Sequence, residues 1–194
     1  MDMTAYRIPL EPRTTDDAEP DADGRLAVTE KAMGVVPNMY ARMANSPGLL
    51  ATYLDGYDRF RKESGFAPAE QEVVFLTISR HFECEYCMAA HGTIADTRSK
   101  VPTEVTDALR DDRPIEDPRL AAVAAMTRSL LETRGRPSED DVERFRAAGF
   151  TDRQVLELVL AISVKILSNW SNHLFDTPVD DMFAGRTWSV PASA

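Results

Sequence analysis

Apolar residues recur every three or four positions along most of the chain, which is the spacing of one buried face of an α-helix. A clear stripe consists of Leu50, Tyr53, Leu54, Tyr57 and Phe60. The most hydrophobic stretch runs from Val155 to Leu167, after the capping-box spacing Thr151-x-x-Gln154. No strand-like alternation of useful length interrupts this pattern. The sequence therefore predicts an all-α fold.

Proline, glycine and small polar residues mark where the predicted helices begin and end. The predicted helices run from Pro37 to Ala44, from Leu49 to Lys62, from Pro68 through Ile78, from Pro102 or Thr103 onward, from Asp117-Pro118 to Gly135, from Pro137-Ser138 to Gly149, and from Thr151 through Leu167. The polar run Asn169 to His173 closes the last helix, and buried Asn and His side chains there favour structural hydrogen bonds.

Residues 1–28 differ from the rest, because they hold four Pro or Gly and seven acidic residues with little periodicity. This composition predicts an extended or partly disordered N-terminal arm that wraps the surface. Residues 29–194 are then predicted to form one helical domain, since 194 residues suffice for a single domain with a real core.

The charge and the hydrophobic runs exclude several classes of partner. With 22 basic and 32 acidic residues the formal net charge is −10, which disfavours binding to nucleic acid or to an anionic membrane surface. No run reaches the length of about 20 apolar residues that spans a bilayer. The N-terminus also lacks the basic start and apolar run of a secretory signal, so we expect a cytoplasmic protein.

Chemistry is concentrated in one stretch, Cys84-Glu-Tyr86-Cys87-Met-Ala-Ala-His91. On a helix, residues three, four and seven apart share one face, so both sulfurs and the imidazole are predicted to lie on one stripe. A Cys-x-x-Cys pair in a helix's first turn can close to a disulfide, and the helix N-terminus stabilises a thiolate there. His91 is a candidate base because its ordinary pKa is about 6.5. A bend near His81 would bring Glu72 back to this cluster as part of a proton relay.

Glu72, Cys84-x-Tyr86-Cys87 and His91 resemble the motif of the alkylhydroperoxidase-D-like and carboxymuconolactone decarboxylase superfamily, in particular its peroxidase-related branch. The resemblance extends from about Gly34 to Pro178. It implies an all-helical fold with the cysteine pair at the start of a core helix. It also implies Cys87 as the peroxidatic nucleophile, Cys84 as the resolving thiol, and Glu72 and His91 in the proton relay.

Tyr86 departs from the family pattern, because the best-studied peroxidases of the family have a relay histidine between the cysteines. A phenol with a pKa of about 10 passes a hydrogen bond but is a weak base at neutral pH, so Tyr86 is a candidate for either relay or packing. The resemblance further implies a small hydroperoxide substrate, no metal or other cofactor, and a thioredoxin-like or lipoyl-bearing dithiol protein as reductant. It also implies a homo-oligomer, either a dimer, a trimer or a hexamer.

Several alternatives remain open on sequence. The cysteines are either a redox pair, buried small hydrophobes, or zinc ligands with His91 and with His81 or Glu72 as the fourth ligand. A lyase of the carboxymuconolactone decarboxylase type would not need the cysteine pair. A redox-sensing thiol–disulfide module would use the pair to control binding to a partner protein. The motif assigns no role to the N-terminal arm, to His81 or to His173.

Overall fold

The computed structural model describes residues 7–191, apart from the side chain of Asp23. In this range the chain forms nine α-helices and no strand, which confirms the predicted all-α class. The helices are α1 (Pro20–Met33), α2 (Asn38–Met43), α3 (Pro47–Glu63), α4 (Pro68–His81), α5 (Glu85–Ile94), α6 (Thr103–Arg110), α7 (Pro118–Glu132), α8 (Glu139–Ala147) and α9 (Asp152–Phe175). A π-helical turn, Ala95–Ser99, continues α5, and a 3-10 turn, Asp181–Arg186, follows α9. No helix within the described range is long and apolar enough to cross a membrane.

Helix α4 is the central element, because α5, α6, α7 and α9 all contact it. Every residue from Glu70 to Ser79 is buried, so this helix has no solvent-facing side over almost three turns. Half of that run is apolar, but Glu72 also lies within it, with 0% exposure. A buried carboxylate is costly unless it is paired and hydrogen-bonded, so the position of Glu72 points to a polar site inside the core.

Helices α9 and α3 form the second layer beside α4. The capping box predicted at Thr151 is present, with the Thr151 hydroxyl accepting from the Gln154 amide and the Gln154 side chain accepting from Thr151 N–H. This cap fixes where α9 begins. From there the helix runs 24 residues to Phe175 and carries its buried face past both cysteines.

A tight turn between α4 and α5 aims the cysteine pair at the core. Glu83 has a left-handed backbone conformation (φ 55°), and Cys84 N–H donates to the Ser79 carbonyl at 2.9 Å. Cys84 consequently sits at the N-cap of α5 and Cys87 lies in its first turn. The predicted placement of the Cys-x-x-Cys pair at the start of a core helix is confirmed.

The N-terminal prediction needs a correction. Residues 7–14 have no regular secondary structure and lie along the surface, where Ile8 N–H donates to Leu174 O and Arg13 N–H to Ala41 O. Residues 20–28, predicted to be extended, are instead the first part of α1. Pro20 occupies the first helical position, where its missing N–H is not needed, and buried Ala22 and Leu26 lie one turn apart in the core cluster that includes α3. Residues 1–6 of the predicted arm and 192–194 of the predicted domain lie outside the described range.

The C-terminal 3-10 turn packs on α5 and closes one side of the cysteine site. Arg186 anchors this turn, since its guanidinium bonds Asp96 at 2.5 and 2.9 Å and Asp107 at 2.8 Å. The anchored turn places Phe183 against the ring of Tyr86, with centroids 6.1 Å apart.

Candidate functional site

Cys87 lies 2% exposed in the first turn of α5 and faces a polar stripe on α9. Asn172 Nδ2 donates to the Cys87 sulfur at 3.4 Å, and Ser168 Oγ lies 4.0 Å from it. Lys165, one turn before Ser168 on α9, is 1% exposed. Burial of Cys87 opposes its ionisation, but the hydrogen bond with Cys84 and the charge of Lys165 outweigh burial and lower its pKa to about 6. Cys87 is therefore largely a thiolate at neutral pH.

Cys84 has the opposite electrostatic character. Burial raises the pKa of its thiol well above the ordinary value, and the neighbouring negative charge on Cys87 raises it further. Its sulfur accepts a hydrogen bond from Asn172 Nδ2 at 3.8 Å. The pair thus holds a single proton near neutral pH, and that proton stays on Cys84 while Cys87 carries the charge. No disulfide joins the two cysteines in the structure, so the pair is in its reduced form.

Glu72 and His91 form a buried pair behind the sulfurs. His91 Nδ1 is 2.9 Å from Glu72 Oε2, and the other carboxylate oxygen is 2.5 Å from Arg61 Nη2 and 3.2 Å from Ser99 Oγ. Burial opposes the ionisation of Glu72, but its hydrogen bond with His91 and the Arg61 guanidinium lower the pKa of the carboxyl. Glu72 is therefore a carboxylate whose permanent counter-ion is Arg61.

The imidazole of His91 is neutral at neutral pH. Burial and the charge of Lys165 lower its pKa to about 4, although the Glu72 carboxylate pulls in the other direction. A neutral imidazole carries one N–H, and the carboxylate can only accept, so we assign the proton to Nδ1. The lone pair of Nε2 is then free to accept a proton or a hydrogen bond.

A small, partly open cavity of about 150 Å³ lies in front of Cys87. Cys87, His91 and Lys165 all line it, whereas Cys84 does not. The remaining walls are mostly aromatic and apolar, and they consist of Met33, Pro37, Met39, Tyr40, Tyr53, Tyr57, Tyr86, Ala90, Ile94, Arg98 and Phe183. Cys84 instead borders a wider groove of about 480 Å³ with Glu83, Glu85, Asn172 and the 176–179 segment. The two cysteines thus border different spaces.

The structure brings Glu72, Cys87 and His91 to one site, and it gives Tyr86 a different partner. Within residues 7–191 no hydrogen bond joins His91 to either sulfur, and His91 Nδ1 bonds Glu72 instead. The Tyr86 hydroxyl donates to Asp180 Oδ2 at 2.5 Å. Burial and the Asp180 carboxylate raise the pKa of this phenol, so it keeps its proton. Tyr86 therefore fixes the C-terminal segment against α5 while its ring lines the cavity.

The zinc alternative has no geometric support in the described range. No three His, Cys, Asp or Glu side chains there are arranged to hold a metal ion. Of the proposed ligands, His91 is engaged with Glu72, and His81 is exposed and packs edge-on against Phe82. His173 is also exposed and lies along the groove beside Cys84.

The sequence analysis did not identify five residues that bond or charge-pair with the predicted site residues. These are Arg61, Lys165, Ser168, Asn172 and Asp180. Asn172 was expected to have only a structural role, yet it is the hydrogen-bond donor shared by both sulfurs. A signal for three of these residues does exist, because Lys165, Ser168 and Asn172 are spaced three and four apart on an otherwise apolar helix. Nothing in the local sequence connects Arg61 or Asp180 with the cysteines.

Comparison with known proteins defines the fold. No protein-family model matches the chain, and no curated protein matches it. Among solved structures, the chain is similar to an alkylhydroperoxidase AhpD core, an uncharacterized peroxidase-related protein from Ralstonia eutropha JMP134, with a TM-score of 0.80, 24% identity, and 92% of this chain and 96% of that chain covered. It is also similar to an uncharacterized peroxidase-related protein from Silicibacter sp. TM1040, with a TM-score of 0.76, 19% identity and coverage of 95% and 98%.

A third similar structure is the debrominase Bmp8, as a cysteine-to-alanine variant in complex with 2,3,4-tribromopyrrole. Its TM-score is 0.74 at 14% identity, with 93% of this chain and 96% of that chain covered. The fold is thus that of the alkylhydroperoxidase AhpD core, as the resemblance predicted. Proteins of this fold include peroxidase-related proteins and a debrominase, so the function of this chain has to be argued from its site.

Proposed function

We propose that the chain is a cysteine-based peroxidase that reduces a small hydroperoxide, with Cys87 as the nucleophile. The observation that carries the proposal is the asymmetry of the pair. Cys87 lines a small cavity and has its pKa lowered to about 6 beside Lys165, whereas Cys84 lies outside that cavity and keeps its proton. The thiolate is the reactive form of cysteine, and a site of this kind is where reactive cysteines occur.

In the first step the Cys87 thiolate attacks the outer oxygen of the hydroperoxide and the O–O bond breaks. The sulfur is oxidised to a sulfenic acid, the peroxide is reduced, and the alkoxide leaves as an alcohol after taking a proton from solvent. His91 Nε2 accepts the hydroperoxide O–H and orients it, since Glu72 holds the imidazole through Nδ1. Lys165 stabilises the negative charge that moves from sulfur to the leaving oxygen.

In the second step Cys84 attacks the Cys87 sulfenic acid, a disulfide forms and water leaves. Cys84 gives up its proton here, and it becomes a better nucleophile once the negative charge on Cys87 is gone. A Cys-x-x-Cys pair at a helix start closes this bond within the existing turn. No cofactor takes part in either step.

The disulfide is then reduced by a dithiol protein, thioredoxin-like or lipoyl-bearing, which is itself oxidised to a disulfide. The tyrosine-lined cavity of about 150 Å³ is too small to admit a protein thiol, so we expect the reductant to approach Cys84 from the wider groove. Cys84 is 0% exposed, so the groove wall that covers it has to move before its sulfur is reached. The groove is bordered by Glu83, Glu85 and Asp176, so we expect a reductant with a basic surface around its thiol.

Thiol counting tests the peroxidase proposal. One equivalent of tert-butyl hydroperoxide is expected to consume two thiols per chain in the wild type and to give one intramolecular disulfide by mass spectrometry. Cys87→Ser is expected to abolish peroxide consumption. Cys84→Ser, the matched control, is expected to react once and stop at a sulfenic acid that dimedone traps. Wild-type consumption by Cys87→Ser would refute the proposal.

Reductive debromination is a second candidate, favoured by the aromatic cavity and by the likeness to debrominase Bmp8. The dithiol would supply two electrons, giving the debrominated ring, bromide, a proton and the disulfide. Bromide release from 2,3,4-tribromopyrrole, measured with the same two variants, separates this activity from the peroxidase.

Two further experiments test the other candidate functions, a decarboxylase and a redox-sensing module. Turnover of a γ-carboxy lactone after both cysteines are alkylated would favour a decarboxylase of the carboxymuconolactone type. A change of oligomer size with and without dithiothreitol, together with no turnover of any hydroperoxide, would favour a redox-sensing module.

A further inference from the structure

The cavity in front of Cys87 has a charge opposite to that of the protein as a whole. The chain carries 32 acidic and 22 basic residues, yet none of the fourteen described residues that line this cavity is Asp or Glu. Two of the fourteen, Lys165 and Arg98, are cations. The acidic surface repels anions over a long range, whereas the cavity itself attracts them at close range.

The two cations differ in what neutralises them. Lys165 is 1% exposed, and its counter-charge is the Cys87 thiolate. Arg98 is exposed at the cavity edge and forms no ion pair with a carboxylate in the described range. The nearby carboxylate of Asp96 is bound to Arg186 at 2.5 and 2.9 Å. When Cys87 is a thiolate, Arg98 therefore leaves the cavity with one uncompensated positive charge.

The walls of the cavity limit the size and the polarity of the rest of the ligand. The side chains of Tyr40, Tyr53, Ile94 and Phe183 give the cavity an apolar, aromatic lining. The Tyr57 hydroxyl accepts from Arg61 Nη2 at 2.7 Å, so its own O–H remains able to donate. A volume of about 150 Å³ corresponds to a ligand of about the size of one benzene ring.

We propose that this cavity selects small organic anions, whose body is apolar or aromatic and no larger than about one ring. The acidic group pairs with the Arg98 guanidinium at the entrance, and the reactive centre meets Cys87 inside. This inference rests on the proposed peroxidase function for its substrate class, which is then a hydroperoxide that carries a carboxylate or a similar anionic group.

Alkylation of Cys87 tests the charge selectivity without any peroxide. Iodoacetate and iodoacetamide have nearly the same shape, and the thiolate displaces iodide from both of them. Only iodoacetate is an anion. We expect the ratio of the iodoacetate rate to the iodoacetamide rate at Cys87, measured by mass spectrometry, to exceed the same ratio for glutathione. Arg98→Gln is expected to lower the ratio about fivefold, which is the size of effect that one partly screened charge produces.

Two control variants make the experiment specific to Arg98. Arg98→Lys keeps the charge and is expected to keep the ratio. Arg136→Gln removes one exposed arginine far from the cavity lining and is expected to leave the ratio unchanged. A wild-type ratio equal to that of glutathione, or an unchanged ratio in Arg98→Gln, would overturn the inference.

Protection by inert ligands separates this inference from the proposed function. Benzoate is expected to slow alkylation of Cys87 by iodoacetamide, and the neutral benzamide is not; Arg98→Gln is expected to lose the benzoate effect. Protection by benzoate in a protein that consumes no hydroperoxide would leave anion selection standing and remove the peroxidase. If the protein consumed hydroperoxide but benzoate and benzamide protected Cys87 equally, the peroxidase function would stand and anion selection would be refuted.

Discussion

At Cys87, two effects of opposite sign act on one thiol. Burial favours the neutral form, while hydrogen bonding with Cys84 and the charge of Lys165 favour the thiolate and prevail. Burial and the charge of the same lysine lower the pKa of His91, so Lys165 contributes both to the charge of the nucleophile and to the neutrality of the base. Surroundings that hold two neighbouring titratable groups in different charge states are a recurring property of catalytic sites.

Removal of the Lys165 charge is expected to raise the pKa of Cys87. Alkylation of Cys87 in the wild type should have a pH midpoint near 6, with a plateau above it and a tenfold loss of rate for each pH unit below it, because only the thiolate reacts. In Lys165→Met the midpoint is expected to move upward by at least one pH unit, and the rate at pH 7 to fall by about twofold or more. The measurement is the iodoacetamide rate between pH 4 and 10.

The control for this experiment is Lys62→Met, which removes an exposed lysine that is paired with Asp58 on the surface of α3. Its midpoint is expected to match the wild type. An unchanged midpoint in a folded Lys165→Met protein would show that Lys165 does not set the ionisation of Cys87.

At the scale of elements, the site depends on how closely α9 approaches α3 and α5. Gly56 on α3 allows this approach, because a Cβ at this position would lie 2.7 Å from Val164 Cγ2. Val164 directly precedes Lys165, so the contact between these helices also fixes where the ammonium group lies. Packing and chemistry are therefore coupled on α9.

Gly56→Ala is expected to destabilise the protein by about 1–2 kcal/mol, because the cost of overpacking exceeds the gain in helix propensity. Gly48→Ala, in the same helix, is the matched control. Nothing lies within 4 Å of a Cβ there, so we expect a neutral effect or stabilisation of up to about 1 kcal/mol. Urea denaturation of the three proteins measures both values. Equal stabilities for the two variants would show that α3 and α9 separate easily.

At the scale of the whole molecule, one face of α9 remains uncovered. Four large apolar side chains lie within one narrow arc of the helix with exposures between 46% and 70%, namely Leu156, Val159, Trp170 and Leu174. Apolar side chains aligned over five turns are typical of a surface that another protein covers. Since the family resemblance implies a homo-oligomer, we propose that a second copy of this chain covers the face.

Sedimentation velocity tests this assembly. The wild type is expected to sediment as a dimer or larger species, and the double substitution Leu156→Glu with Trp170→Glu is expected to give monomers, because each change buries a charge in the contact. Val28→Glu changes an equally exposed apolar residue on α1 and is expected to leave the assembly intact. A monomeric wild type at micromolar concentration would contradict the proposal.

Much of the fold follows from local sequence. The period of the apolar residues, the caps at Asp117, Ser138 and Thr151, and the glycines after helices determine the all-α class and most helix boundaries, because these signals act within a few residues. These local signals did not predict helix α1, because its two buried apolar residues, Ala22 and Leu26, form too short a periodic pattern. Its stability comes from contact with α3.

The sequence likewise predicted that Cys84 and Cys87 lie at the start of a helix, because their three-residue spacing is a local property. The charge state of the pair was decided by tertiary structure alone. Lys165 and Asn172 lie about eighty residues further along the chain, and Arg61 reaches Glu72 from a different helix. Electrostatic interactions depend on distance and burial, and helix packing fixes both.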